Sequence, residues 1–245
     1  MAEHELVVEG LTVTYGKAIA VDDLSLRADG GQVTALVGPN GAGKSSAVLG
    51  IYGSVPARGR IVIDGQDVSG LSAMQRARAG LAIVPQGRQL FPRMTVLENI
   101  QVMAELLRLG KSSVDEALSR FPILADRRSA FAGVLSGGEQ QMLVVTRALM
   151  AKPAVILLDE MMTGLAPKIV SSLADTVAEL AADGTVVLVA DPSLAAVGRI
   201  VDRGYVLVRG AVVNESSDVN SLERAYQKAM GIIHEEIEAE VEATS

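Results

Sequence analysis

Two short stretches carry residue types that could do chemistry together. "GPNGAGKSS" (Gly38, Pro39, Asn40, Gly41, Ala42, Gly43, Lys44, Ser45, Ser46) places a glycine, four residues, then Gly-Lys-Ser between an apolar run and a helix-like segment. Glycines let successive backbone N–H groups turn inward as an anion nest, and the following helix adds its positive end. A polyphosphate can be held there mainly by backbone, with Lys44 reaching its β- and γ-phosphates and the Ser45 hydroxyl ligating Mg²⁺. "VILLDE" ends a β-type run with the carboxylates Asp159 and Glu160. Burying adjacent carboxylates is costly unless a cation or hydrogen bonds compensate. Beside a polyphosphate, Asp159 would hold Mg²⁺, usually through water, and Glu160 would orient or deprotonate the attacking water.

A third stretch, "LSGGEQQML" at 135–143, sets paired glycines and a polar cluster directly before a long helical pattern. Glycines weaken helices and amides seldom fill cores, so the run needs a reason other than packing. Ser136 is at the least a candidate helix N-cap.

The elements that must position these residues follow from periodicity. "LVVEGLTVTYG" and "VDDLSLRAD" alternate polar and apolar residues as half-buried strands, and "QVTALVG" (32–38) reads as a buried central strand. "RIVIDGQDVS" carries a hairpin signal at Asp64-Gly65. From Leu71 to about Ala151 the pattern is mostly helical, with breaks at Pro92, Gly110 and Pro122. Strands return as "PAVILLDE" and "GTVVLVAD", separated by the helical "APKIVSSLADTVAELAAD", which implies parallel pairing with a right-handed crossover. "RGYVLVRGAVV" closes the β portion as a hairpin at Arg209-Gly210. The expected fold is α/β: a P-loop NTPase with a RecA-like parallel core sheet, an N-terminal antiparallel β part and a helical subdomain insert. It is read as one domain over 1–231, the insert at about 87–150, followed by an acidic tail over 232–245.

Composition narrows the function classes. The 245 residues, 49% hydrophobic, suffice for one large domain. No stretch approaches 18 consecutive apolar residues and the start lacks a secretory pattern, so the chain is expected in the cytosol. The absence of cysteine removes thiolate chemistry, and His4 and His234 stand near opposite ends, so a histidine centre is not expected. A net charge of −7 and 3% aromatics argue against nucleic acid as a partner.

Together, the 38–45 cradle, "LSGGEQQ" and "VILLDE" resemble the nucleotide-binding subunit of an ABC transporter, over about Leu6 to Gly231. The resemblance implies ATP and Mg²⁺ as ligands and ATP hydrolysis as the activity. It also implies that Ser136, Gly137, Gly138 and Glu139, at a helix start, meet the γ-phosphate of ATP held by a second ATPase subunit. The run would then be exposed in one subunit because it is buried only when two close over ATP. Tyr15 falls where the family stacks an aromatic on adenine. Gln86 matches the glutamine that senses Mg²⁺ and couples to the membrane subunits, which would dock near Arg88 to Pro92. "GRQLFPRMTVLENI", "TGLAP" and "DRGYVLVRG" are most similar to the ATPases of branched-chain amino acid importers and their urea or amide relatives.

The resemblance implies transmembrane permease subunits, a second ABC ATPase subunit (identical or related), and indirectly a solute-binding protein outside the membrane. It places the chain on the cytoplasmic face of the cell membrane. Two departures stand out: Met161 and Met162 where a proline usually follows the glutamate, and Asp191 where the γ-phosphate is usually met by histidine or glutamine; Ala166, where many relatives have aspartate, is ordinary for the branched-chain group, which often has Ala-Pro there. Aspartate is acceptor-only when ionised and repels phosphate. Alternative readings therefore remain at this point: an attenuated subunit that binds ATP as a switch, or an ABC protein outside transport.

Overall fold

The computed structural model describes residues 4–87, 89–192, 194–195 and 197–232. His234 and all of the acidic tail beyond residue 232 lie outside them. Two sheets share the molecule. The smaller is antiparallel, in the order β2-β1-β4-β5, from β1 (Glu5–Tyr15), β2 (Ala18–Asp29), β4 (Ala57–Ile63) and β5 (Gln66–Asp67). Its alternation works as expected: Leu6, Val8, Leu11 and Val13 of β1 face inward. The turn from β4 to β5 uses Asp64 and Gly65, both at positive φ (51° and 76°), as a tight hairpin requires.

The larger sheet runs β10-β9-β3-β8-β7-β6, from β3 (Val33–Val37), β6 (Leu81–Val84), β7 (Val155–Asp159), β8 (Val186–Asp191), β9 (Arg203–Val208) and β10 (Ala211–Ser216). All neighbours are parallel except β9 and β10, which form the hairpin turning at Arg209-Gly210. Every residue of β3, β7 and β8 is buried, which is why these segments read as continuous apolar runs. Their side chains still sort with period two. Leu36, Leu157 and Leu188 face a core shared with the small sheet and α1 (Lys44–Tyr52), whereas Val37, Ile156 and Val189 face the helices on the other side.

Strand β6 departs from the sequence expectation, which took Leu71 to about Ala151 as mostly helical. Leu81–Val84 pairs in parallel with Val155–Leu158. Four consecutive apolar residues have no diagnostic period, so only a waiting strand edge decides the outcome. Around it lie α2 (Ala73–Arg78), α3 (Val96–Leu106), α4 (Lys111–Ser119), α5 (Pro122–Asp126), a 3₁₀ turn (Ala132–Val134) and α6 (Gly137–Leu149). Gly110 is the N-cap of α4 and Pro122 the first residue of α5, so two of the expected breaks are helix starts. Helix α7 (Pro167–Ala182) makes the crossover from β7 to β8. Helix α8 (Val219–Ala229), capped by the Asp218 carboxylate on the Asn220 and Ser221 N–H groups, packs Leu222 against β9.

One buried cation ties α1 to this frame. Arg76, 5% exposed, donates to the carbonyls of Gly50 (3.0 Å), Ile51 (2.6 Å), Ser69 (2.6 Å) and Leu71 (3.0 Å). Two of these acceptors are in the last turn of α1, the negative end of its dipole. Removing the guanidinium strands several carbonyls, so Arg76→Ala is expected to lower unfolding free energy by about 2–4 kcal/mol. Urea unfolding checks this through a fall in midpoint.

Candidate functional site

The site forms where three adjacent parallel strands end together, the position at which open α/β sheets hold ligands. Val37 of β3 lies in register with Asp191 of β8, and Asp159 of β7 with Ala190 of β8. The loop from Gly38 to Gly43 leaves β3 and enters α1, whose N-cap Gly43 offers no side chain to the first N–H groups. Glycine is required at both ends for steric reasons. A Cβ on Gly38 would stand 2.1 Å from the Leu207 carbonyl oxygen, and one on Gly43, at φ 107°, would stand 2.2 Å from that of Ala20. Gly41, at φ 80°, has open space where its Cβ would be. The result is a walled cradle with an open mouth, which fits a phosphate chain.

Lys44 is 4% exposed, and its ammonium donates to the carbonyls of Gly38 (2.8 Å) and Pro39 (3.1 Å) across its own loop. Burial lowers its pKa, while Glu160, Asp159 and Asp191 favour the charged form. The Ser45 hydroxyl donates to Asp159 Oδ1 at 3.0 Å. Burial raises the pKa of Asp159, which is 2% exposed, against the pull of the Ser45 bond. A hydroxyl and a carboxylate converging beside a phosphate cradle are hard oxygen donors, the set that suits Mg²⁺.

Glu160 and Gln86, 74 residues apart, are brought together: Gln86 Nε2 donates to Glu160 Oε2 at 2.6 Å. Gln86 comes two residues after β6 ends, so the strand absent from the sequence reading is what delivers it. Glu160 sits at φ 48°, a left-handed conformation uncommon outside glycine. Its N–H donates to the Ala190 carbonyl at 2.8 Å, which fixes the turn after β7 without a proline. Met161 and Met162 are each 2% exposed and fill the core.

Ser136 caps α6, and the capping is reciprocal: Glu139 N–H donates to Ser136 Oγ at 3.4 Å and Ser136 N–H donates to Glu139 Oε2 at 2.7 Å. The N-cap reading of Ser136 therefore holds. Gly138 has its own packing reason, since a Cβ there would stand 2.7 Å from the Ile169 side chain of α7. A cavity of 390 Å³ runs along the second part of this opening turn, lined by Gln86, Gly87, Gln140, Gln141, Glu160 and Met161. Gln140 and Gln141 of α6 thus share one space with Glu160.

Tyr15 ends β1, 47% exposed, and pairs with Ala18 at the hairpin end beside Ala20, the residue that crowds Gly43. Asp191, 2% exposed, ends β8 and acts electrostatically on Lys44 and on Tyr226 of α8. It borders a 470 Å³ cavity with Thr163, Gly164 and Pro167. Sequence reasoning missed Tyr226 and also Arg147, which donates to the Gln89 carbonyl at 2.8 Å and lies 5.0 Å over the Phe91 ring. Neither carries a local signal, because both act across distant segments.

Comparison with known proteins places the family and the fold. The ABC transporter family model matches residues 21–163. Among curated proteins, the chain is 37% identical over 211 residues to the high-affinity branched-chain amino acid transport ATP-binding protein BraG of Pseudomonas aeruginosa, covering 85% of this chain and 91% of that one. It is 33% identical over 214 residues to the lipopolysaccharide export system ATP-binding protein LptB of Haemophilus influenzae, covering 85% and 88%. Among solved structures, a nucleotide-free ATP-binding cassette from an ABC transporter superposes with a TM-score of 0.83 at 27% identity, over 95% of this chain and 100% of that one. A cassette described in its ADP conformation gives the same score and identity over 94% and 98%. With phosphate cradle, paired carboxylates and capped glycine turn all in place on the expected fold, the chain belongs to the ABC transporter ATP-binding family, whose members hydrolyse ATP to power transport.

Proposed function

We propose that this chain is the ATP-hydrolysing subunit of an importer for branched-chain amino acids or a related amide or urea solute, working on the cytoplasmic face of the cell membrane. The observation that carries the reading is the convergence of Gln86 on Glu160 beside the Ser45–Asp159 pair and the Lys44 loop. Phosphates of ATP lie on the 38–46 backbone, with adenine against Tyr15. Lys44 trades its carbonyl partners for the β- and γ-phosphates, and Ser45, Gln86 and Asp159 hold Mg²⁺. When bound, the ion neutralises charge on the phosphate oxygens. Glu160 accepts the proton of the attacking water, and Gln86 keeps its carboxylate aimed.

A second ATPase subunit, identical or related, completes the site by presenting its Ser136 and the backbone N–H groups of Gly137, Gly138 and Glu139 to the γ-phosphate. Permease subunits dock on Phe91, Phe131 and Val134, exposed at 44%, 54% and 71%. Those segments are bonded together through Gly133 N–H to the Pro92 carbonyl and the Thr95–Phe131 bridge. An exposed apolar patch of this kind suits a protein partner. Support for the solute class is the similarity to BraG; a similar identity to LptB makes lipopolysaccharide export the competing outcome. Reconstitution of the chain with candidate permease subunits in vesicles tests this: ATP-dependent uptake of labelled leucine supports it, and uptake of no amino acid or amide with intact ATP turnover sinks it.

A reading as an attenuated subunit is favoured by one observation, the buried carboxylate of Asp191 among Lys44, Asp159 and Glu160. A carboxylate near the γ-phosphate opposes the build-up of charge there, whereas an amide can donate. Asp191→Gln is expected to raise the turnover number about tenfold, one hydrogen bond's worth of transition-state stabilisation. Steady-state phosphate release measures it, and unchanged turnover would show that Asp191 does not restrain the reaction.

A further inference from the structure

Helix α6 opens with a charge of the wrong sign for its proposed ligand. Glu139, 9% exposed, is the third residue of α6 and uses one carboxylate oxygen to cap Ser136 N–H at 2.7 Å. Burial pushes its pKa up, but the Ser136 bonds and the Arg127 guanidinium outweigh burial and hold it below the usual carboxylate range. An ionised glutamate suits a helix start taken alone. It repels a phosphate approaching the same N–H groups.

The other oxygen of this carboxylate, Oε1, lies 3.6 Å from Arg127 Nε. Arg127 follows α5, and its backbone is fixed on both sides, its N–H donating to the Ile123 carbonyl at 3.1 Å and its carbonyl accepting from Ala130 N–H at 2.8 Å. Its side chain is half exposed at 52%, against 12% for that of Glu139. The cation therefore covers the buried anion from the solvent side, and the capping box itself is left undisturbed.

We propose that Arg127 is a positioning residue for ATP-driven pairing, cancelling the charge of Glu139 so that the Ser136–Gly138 turn can receive the γ-phosphate held by a second subunit. The inference rests on the proposed role of that turn. Without Arg127, each of the two interfacial sites brings an uncompensated carboxylate towards a phosphate, and closure requires more ATP.

The test uses the full chain in a Glu160→Gln background, which allows the ATP-bound pair to accumulate. Sedimentation velocity reads the ATP concentration at half-maximal pairing. Arg127→Gln is expected to raise it about fivefold, as for a partly exposed ion pair. Adding Glu139→Gln, which keeps the capping box but removes the charge, is expected to restore the parent value. Added salt should narrow the gap between the parent and Arg127→Gln. A purely structural Arg127 would not be rescued by neutralising Glu139. An unchanged midpoint in Arg127→Gln, or no restoration by Glu139→Gln, overturns the proposal. A parent that never pairs at any ATP concentration removes the role of the turn itself, and the proposal with it.

Discussion

Glu160→Gln is expected to lower ATP turnover by about 10²–10⁴-fold while leaving ATP affinity within a few-fold of the parent, the loss typical of removing a positioned general base. The substitution is close to isosteric, and its amide oxygen can still accept from Gln86 Nε2, now 2.6 Å from the carboxylate. The left-handed turn at φ 48° is held by the backbone bond to the Ala190 carbonyl, which the side-chain change does not touch. Geometry therefore survives and basicity is removed. Two readings taken on one preparation separate these consequences: phosphate release under saturating ATP, and the dissociation constant of ATP by calorimetry. Turnover within a few-fold of the parent would eliminate Glu160 as the group that directs water. A parallel collapse in affinity would instead point to a folding defect at the end of β7.

Lys44→Ala is expected to weaken ATP binding about a hundredfold or more, since a charge-assisted contact to phosphate is worth about 2–3 kcal/mol and each 1.4 kcal/mol is tenfold. The ammonium is 4% exposed and is the cation on which Asp159, Glu160 and Asp191 all act. Its removal leaves those carboxylates facing the phosphates with less compensation. It also takes away the donor shared by the Gly38 and Pro39 carbonyls, so the loop that forms the cradle loses a cross-brace. Arginine should rescue poorly, because a planar guanidinium does not fit a buried path built for a point charge. Calorimetry with ATP and with ADP checks both variants. An ATP affinity unchanged in Lys44→Ala would place the phosphates somewhere other than the 38–46 loop.

How legible the site was depended on whether its parts are contiguous. The cradle was readable because one unbroken stretch bonds to itself through Lys44, and its glycines have steric reasons in the walls at Leu207 and Ala20. The hairpin turns at Asp64-Gly65 and Arg209-Gly210 were readable because left-handed φ values favour Gly65, Gly210 and Asp64. Strand β6 was not, because its four residues acquire strand character only by pairing with β7. Contacts made by single side chains across the fold were equally hidden: Arg76 on the end of α1, Arg127 against Glu139, and Arg147 over Phe91. None of these leaves a spacing in the chain.

The sequence by itself determined the family, the glycine-rich 38–46 loop and the carboxylates Asp159 and Glu160 at the end of β7, since those depend on backbone permissiveness and residue chemistry within a few neighbours. Only the tertiary structure decided that Gln86 meets Glu160, that Glu160 turns without a proline, and that an arginine shields the glutamate at the start of α6. The physical reason is strand order. The sheet sets β3, β8, β7 and β6 side by side, so their loops converge from positions far apart in the chain, and hydrogen bonds of 2.6–3.0 Å form between residues that no local pattern relates.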